Sequence, residues 1–172
     1  MIPVQFLSSF RIPERELEVR KDLRGDRIFT IDPETAKDLD DAVSIKLNED
    51  GTYDVGVHIA DVSFFVKPNT ALDRDARKRA TSVYLVQRAV PMLPPALSEQ
   101  LCSLVPGQDR LTFSVIFTMA KDGKVIKKSF DKTIIRSVSF HILHISYPVY
   151  SSSIIPLSDL PPGFPIKLRK MS

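Results

Sequence analysis

Four aspartates fall within ten residues: Asp32, Asp38, Asp40 and Asp41. Like charges ~4 Å apart repel by roughly 4 kcal/mol per pair at an effective dielectric near 20. If these side chains converge, a raised pKa, a basic partner or a bound cation must relieve them. Hard oxygen donors point to Mg²⁺, with Mn²⁺ as the alternative, rather than to zinc. Mg²⁺ commonly takes one or two protein carboxylates and fills its octahedron with water and substrate oxygens. Four aspartates could therefore serve two ions about 4 Å apart, one activating water and one stabilising a leaving oxygen. An EF-hand is excluded. With Asp38 at its first position, Ala42 stands at the fifth and Val43 where glycine is required. A solvated acidic loop with N-capping aspartates is the other reading, and residue types alone leave both open.

The flanking pattern favours convergence. Arg27 to Ile31 reads as a short strand that delivers Asp32, and Pro33 forbids its plain continuation. Ala42 to Leu47 and Tyr53 to Ile59 alternate across the turn Asn48–Gly51, which predicts a hairpin. Thr70 can N-cap a helix over Ala71 to Thr81, with Asp73 in its first turn and Arg77 and Arg79 in its last. Ser82 to Val86 is β-like. Pro91, Pro94 and Pro95 impose an extended connection, and Ala96 to Leu104 reads as a short helix. Leu111 to Met119 and Lys124 to Ile135 predict a second hairpin around Lys121-Asp122-Gly123. The expectation is an α+β fold: a mixed, mostly antiparallel sheet with a few short helices.

Composition adds bounds. Hydrophobic residues make up 43% of the 172, enough for a core, and the net charge of +3 is too small to argue for nucleic acid by itself. Basic residues group at Arg20, Lys21, Arg24 and Arg27, and again at Arg74, Arg77, Lys78 and Arg79. The second group reads equally as a phosphate contact and as a solvated helix face. Cys102 is the single cysteine. A reducing compartment is therefore expected, and Cys102 itself reads as a small buried hydrophobe. No apolar run approaches the roughly 18 residues of a membrane span, and no signal-peptide pattern opens the chain. His58 sits in an alternating strand and is expected to pack in the core or bond a neighbour. Asp61 is expected to brace the loop that follows. Residues 1–137 hold 20 of the 21 acidic residues, whereas 138–172 hold five of the 13 prolines and the run Ser151-Ser152-Ser153. The expected organisation is an N-terminal extension over 1–16, a domain over 17–137 and a loosely attached tail over 138–172.

The motifs occur in an order that resembles the ribonuclease II (RNB) family. They are Arg20-Lys21-Asp22-Leu23-Arg24, Thr30 through Ala42, Val57-His58-Ile59-Ala60-Asp61-Val62-Ser63, Thr81 through Leu85, Val90 through Pro94, and Leu97 through Leu104. The resemblance is nearest to the eukaryotic, exosome-independent branch. It implies 3'→5' exoribonuclease activity on the 3' end of single-stranded RNA, release of nucleoside monophosphates, Mg²⁺ as cofactor and a cytoplasmic location. It implies that Asp32, Asp38, Asp40 and Asp41 form the metal site. Asp40 matches the aspartate whose loss stops catalysis while RNA still binds, and Tyr84 matches an aromatic that stacks on a base near the 3' end. No membrane and no stable protein partner are implied. The likeness ends near Ser137. Against the family pattern the chain reads as truncated, lacking a second clamping aromatic and an arginine beside the scissile phosphate. A weakly active or inactive nuclease is thus expected, with an RNA- and metal-binding fragment or a non-functional partial chain as alternatives.

Overall fold

The computed structural model describes residues 10–142, with side-chain surroundings through residue 140. Alternation of apolar residues builds the expected central hairpin from β3 (Asp41–Leu47) and β4 (Tyr53–Ala60), with Asp41 opposite Ile59 and Leu47 opposite Tyr53. Its turn is tied locally. Asp50 Oδ1 accepts from the Thr52 N–H, and Gly51 takes φ 79°, where a side chain would be strained. The second expected hairpin is β7 (Asp109–Met119) with β8 (Val125–Arg136), and β7 also pairs with β4.

Two short strands complete the sheet by pairings that no local pattern announces. β1 (Lys21–Asp22) runs parallel to β8, and β9 (Ser139–Ile142) runs parallel to β2 (Ile28–Asp32). The strand order is β1-β8-β7-β4-β3-β2-β9. β9 begins after only Ser137 and Val138, and the Val138 N–H donates to Ile28 O. One nearly continuous chain thus edges β7 at one end and β2 at the other, so the sheet must curl strongly. Ser139–Ile142 fall in the segment expected to be a loose tail. Sheet pairing carries the ordered unit past residue 137, and the rest of that tail lies outside the described residues. The fold is α+β, as expected.

Helices are few. α1 (Glu14–Val19) precedes β1, and α2 (Val62–Phe65) follows β4. α1 lies within the expected extension, yet Glu16 bonds Arg20 and Phe10 rests on the rings of Phe64 and Phe65, so the extension is tied to the domain. α3 (Ala71–Arg79) is capped by Thr70, whose side chain accepts from the Asp73 N–H. It stops two residues before Thr81 because Ala80 turns to φ 65°. The predicted strand Ser82–Val86 shrinks to β5 (Val83–Tyr84), paired with β6 (Ala89–Val90) in a separate ribbon. The predicted helix Ala96–Leu104 is a π-helical turn over Ala96–Leu101, closed by Cys102 N–H donating to Leu97 O.

One face of the sheet meets Leu97 and Leu101 of this turn, and Leu104 just beyond it, in the core together with Ile28, Leu39, Ala42, Ala60 and Ile135. That face also carries a buried polar row. His58 is fully buried, its Nε2 2.9 Å from Ser44 Oγ and its Nδ1 2.7 Å from Ser114 Oγ. Ser114 Oγ is in turn 2.6 Å from Thr133 Oγ1, which lies 2.6 Å from Thr112 Oγ1. Gly56 leaves room for the imidazole. A Cβ there would overlap Ser44 Oγ and stand 2.6 Å from His58 Nε2. His58 is therefore a core residue, as the alternating strand predicts. Asp61 is likewise a brace. Its Oδ2 takes 2.6 Å from Arg20 and 3.2 Å from Lys132, and its Oδ1 accepts from Ser63. Burial alone would raise the Asp61 carboxyl, but the bonds from Ser63, Arg20 and Lys132 outweigh it and hold the group low.

Burial pushes the His58 imidazole down from 6.5 to about 4. As pH falls from 6.5 to 4, the unfolded chain protonates this histidine before the native one does. That window should cost roughly 3 kcal/mol of stability. Urea unfolding across it should show the loss in the natural chain and a flatter profile in His58→Gln. Equal pH slopes would show that His58 titrates normally.

Candidate active site

The loop between β2 and β3 is shaped by its one large apolar residue. Pro33 O accepts from the Ala36 N–H, turning the chain out of β2. Leu39 then enters the core at 4% exposure, whereas Asp38 is half-buried and Asp40 and Asp41 are exposed. Burying Leu39 turns its two acidic neighbours away from the core. The backbone is clamped on both sides. Ser103 Oγ accepts from the Leu39 N–H at 3.1 Å and donates to Lys37 O at 2.8 Å. Leu39 O accepts from the Leu104 N–H, and Asp40 O from the Ala60 N–H. The π-helical turn matters here because it breaks off at Leu101 and leaves Ser103 and Leu104 to reach this loop.

The four aspartates feel one another. The Asp32 carboxyl is raised above 3.8 first by burial, then by the charges of Asp41 and Asp38. Thr30 tempers that rise, although its hydroxyl does not reach hydrogen-bonding geometry. The Asp40 carboxyl is raised by loss of hydration and then by Asp38, Asp41 and Asp32, although the residue keeps an exposed surface. Asp32 Oδ2 is buried without a hydrogen-bond partner among the described residues. Such an orphaned carboxylate oxygen is costly and calls for a donor or a cation.

Tyr84 was expected only as a stacking ring. Its hydroxyl donates to Asp38 Oδ2 at 2.6 Å, while the residue remains 67% exposed. The bond to Asp38, more than burial, lifts the Tyr84 hydroxyl to about 12. Thus the β5 ribbon is hydrogen-bonded to the acidic loop. Sequence pattern gave no sign of this bond or of the Ser103 clamp.

Full convergence of the four carboxylates is not observed. Among the described residues, no group of three or more His, Cys, Asp or Glu side chains is arranged to hold a metal ion. Like charges resist such an approach, and Asp38 is bonded instead to Tyr84. The donor chemistry nonetheless fits a hard cation that needs only one or two protein carboxylates: oxygens throughout, two with raised pKa, one orphaned. Cys102 does not compete, since burial and the Asp40 charge push its thiol to about 12. On α3, Arg77 and Arg79 pair with Asp73 and Asp75 at the exposed surface, as a solvated face would.

A model of the RNB domain matches residues 20–140. The chain belongs to the RNB family of exoribonucleases. Within it, the chain is 58% identical over 127 residues to the DIS3-like exonuclease 2 of Schizosaccharomyces pombe, covering 73% of this chain and 14% of that one. It is 56% identical over 128 residues to an Arabidopsis thaliana protein named inactive exonuclease DIS3L2, covering 74% of this chain and 12% of the relative. Mycoplasma genitalium RNase R in complex with ribose methylated single-stranded RNA superposes with a TM-score of 0.73 at 33% identity, over 80% of this chain and 22% of that one. The chain thus spans 14% of the length of its S. pombe relative. No described helix is long and apolar enough to cross a membrane.

Ser103→Ala should leave the buried Leu39 N–H without its acceptor and cost about 1–3 kcal/mol. Hydrogen exchange at residues 37–41 should rise more than exchange in β4 or β7. Uniform acceleration across the sheet would show that Ser103 supports the core and not the loop.

Proposed function

We propose that this chain carries the metal-holding part of a Mg²⁺-dependent 3'→5' exoribonuclease site acting on single-stranded RNA. The observation that carries the reading is the coupled set of carboxylates with one orphaned oxygen, Asp32 Oδ2. Asp32, Asp38, Asp40 and Asp41 would hold Mg²⁺, with Mn²⁺ able to replace it. When bound, Mg²⁺ supplies Lewis-acid stabilisation of phosphate oxygens and eases deprotonation of water. The residues of this chain orient and gather charge. The loop pinned by Ser103 presents Asp38 and Asp40, and the exposed Tyr84 ring offers a face on which the 3'-terminal base stacks, worth about 1–3 kcal/mol. Hydrolysis to nucleoside monophosphates and action in the cytoplasm complete the reading, and a reducing compartment suits the buried Cys102 thiol.

A second reading is binding of Mg²⁺ and RNA without turnover. It is favoured by the Arabidopsis relative, which is named inactive yet matches this region at 56% identity. Likeness across this region therefore does not by itself bring catalysis.

Incubation with 5'-labelled single-stranded RNA and Mg²⁺, beside Asp40→Asn, separates the readings. Slow shortening from the 3' end that vanishes in the variant is the result expected of a weakly active nuclease. A gel shift without shortening favours the binding module. Mg²⁺ at 100 times its dissociation constant should stabilise the natural chain by about 2.7 kcal/mol. Asp32→Ala or Asp41→Ala should forfeit most of that gain. Unaltered Mn²⁺ calorimetry in both variants would remove them from the ligand set.

A further inference from the structure

A cleft of about 370 Å³ opens where the N-terminal segment meets the start of β7 and the end of β8. Four arginines line it: Arg11, Arg24, Arg110 and Arg136. Asp109 is the single carboxylate in its wall, and none of the four clustered aspartates takes part. Asp109 is already divided between Arg24 at 3.0 Å and Arg136 at 2.7 Å. Asp22, outside the wall, takes a second bond from Arg24 at 2.6 Å. Arg110 is held by neutral oxygens, donating to Ser103 O at 2.7 Å, Gln100 O at 2.9 Å and Gln108 Oε1 at 2.6 Å. Those bonds fix its orientation without cancelling its charge. Arg11 is exposed and makes no ion pair among the described residues. Two guanidinium groups, Arg11 and Arg110, therefore remain without a carboxylate partner among the described residues, and the cleft keeps a net positive charge.

We propose that this cleft binds the phosphodiester backbone of single-stranded RNA, as an anchoring subsite apart from the aspartate cluster. Guanidinium forks match phosphate oxygens in pairs, which a lysine cannot do. A cationic groove that tracks the backbone holds single strands without reading their sequence. An acidic protein segment would satisfy the charge as well and is the competing occupant that the test separates. The choice of RNA as the polyanion rests on the nuclease reading above. The position of the cleft does not. Arg110 also ties the cleft to the acidic loop, because the residue whose carbonyl it grips, Ser103, clamps Lys37 and Leu39.

The test is fluorescence anisotropy of the full chain with a labelled 12-nucleotide oligouridylate in EDTA, where metal-dependent turnover is blocked. Arg11→Ala combined with Arg136→Ala should weaken binding about tenfold between 50 and 200 mM salt. The slope of log affinity against log salt should shrink by about 0.7 per arginine removed. Lys127→Ala with Lys128→Ala removes the same charge from β8, roughly 27 Å along the strand from Arg136. That control should change affinity less than twofold. Arg11→Ala alone breaks no ion pair, so a weaker loss in it keeps the test valid if the double variant melts early. Equal weakening by both pairs, or by neither, overturns the subsite. Displacement of the RNA by poly-glutamate at equal charge would assign the cleft to acidic protein instead. Unchanged RNA affinity in the arginine variant of a chain that still binds Mn²⁺ sinks the cleft and leaves the nuclease reading standing. Failure of the natural chain to bind RNA at 50 mM salt sinks the nuclease reading itself.

Discussion

Burial of Leu39 between two aspartates is the constraint from which the acidic site follows. A large apolar side chain stabilises a fold by roughly 1.5–3 kcal/mol when it leaves water. Here that gain drags Asp38 and Asp40 with it and sets them on the side away from the core. The backbone cannot relax the arrangement, because Ser103 holds Lys37 O and the Leu39 N–H while Leu104 and Ala60 hold the carbonyls of Leu39 and Asp40. β2 fixes Asp32 from one side and β3 fixes Asp41 from the other. Loss of hydration first, and then mutual repulsion, raise the carboxyls of Asp32 and Asp40 above their ordinary range. Gathering like charges in this way costs stability.

The sheet beneath is unusual in placing polar groups in its core. His58, Ser114, Thr133 and Thr112 form one satisfied row, and Arg20 with Asp61 forms a buried pair beside it. Each of these would be costly if left without a partner. Together they lock the register of β4, β7 and β8, because a slip of one residue would strand every member. The opposite face stays open to solvent at Ile59, Phe113 and Phe130.

Local order in the chain was plain from its residues. Alternation and turn chemistry placed both long hairpins, Thr70 placed the start of α3, the core position of His58 followed from its alternating strand, and Asp61 was legible as a brace just after it. What escaped was contact between distant residues. β9 joins β2 across more than a hundred residues, Ser103 reaches a loop 64 residues away at Leu39, and Tyr84 bonds Asp38 at a separation of 46. Pattern reading also extended the Ala96 helix to Leu104, because the residues there are apolar. The Leu104 N–H instead bonds Leu39 O, and that tertiary bond ends the helix. The aspartates themselves were conspicuous, but only the fold shows that Tyr84 draws one of them aside.

Paramagnetic relaxation by Mn²⁺, followed residue by residue in an NMR spectrum of the whole chain, tests the shared acidic site most directly. At substoichiometric Mn²⁺, the amides of Asp32 and of residues 38–41 should broaden first and together, with Tyr84 close behind. Broadening spread evenly over surface carboxylates such as Glu49, Asp73 and Asp75 would contradict the account.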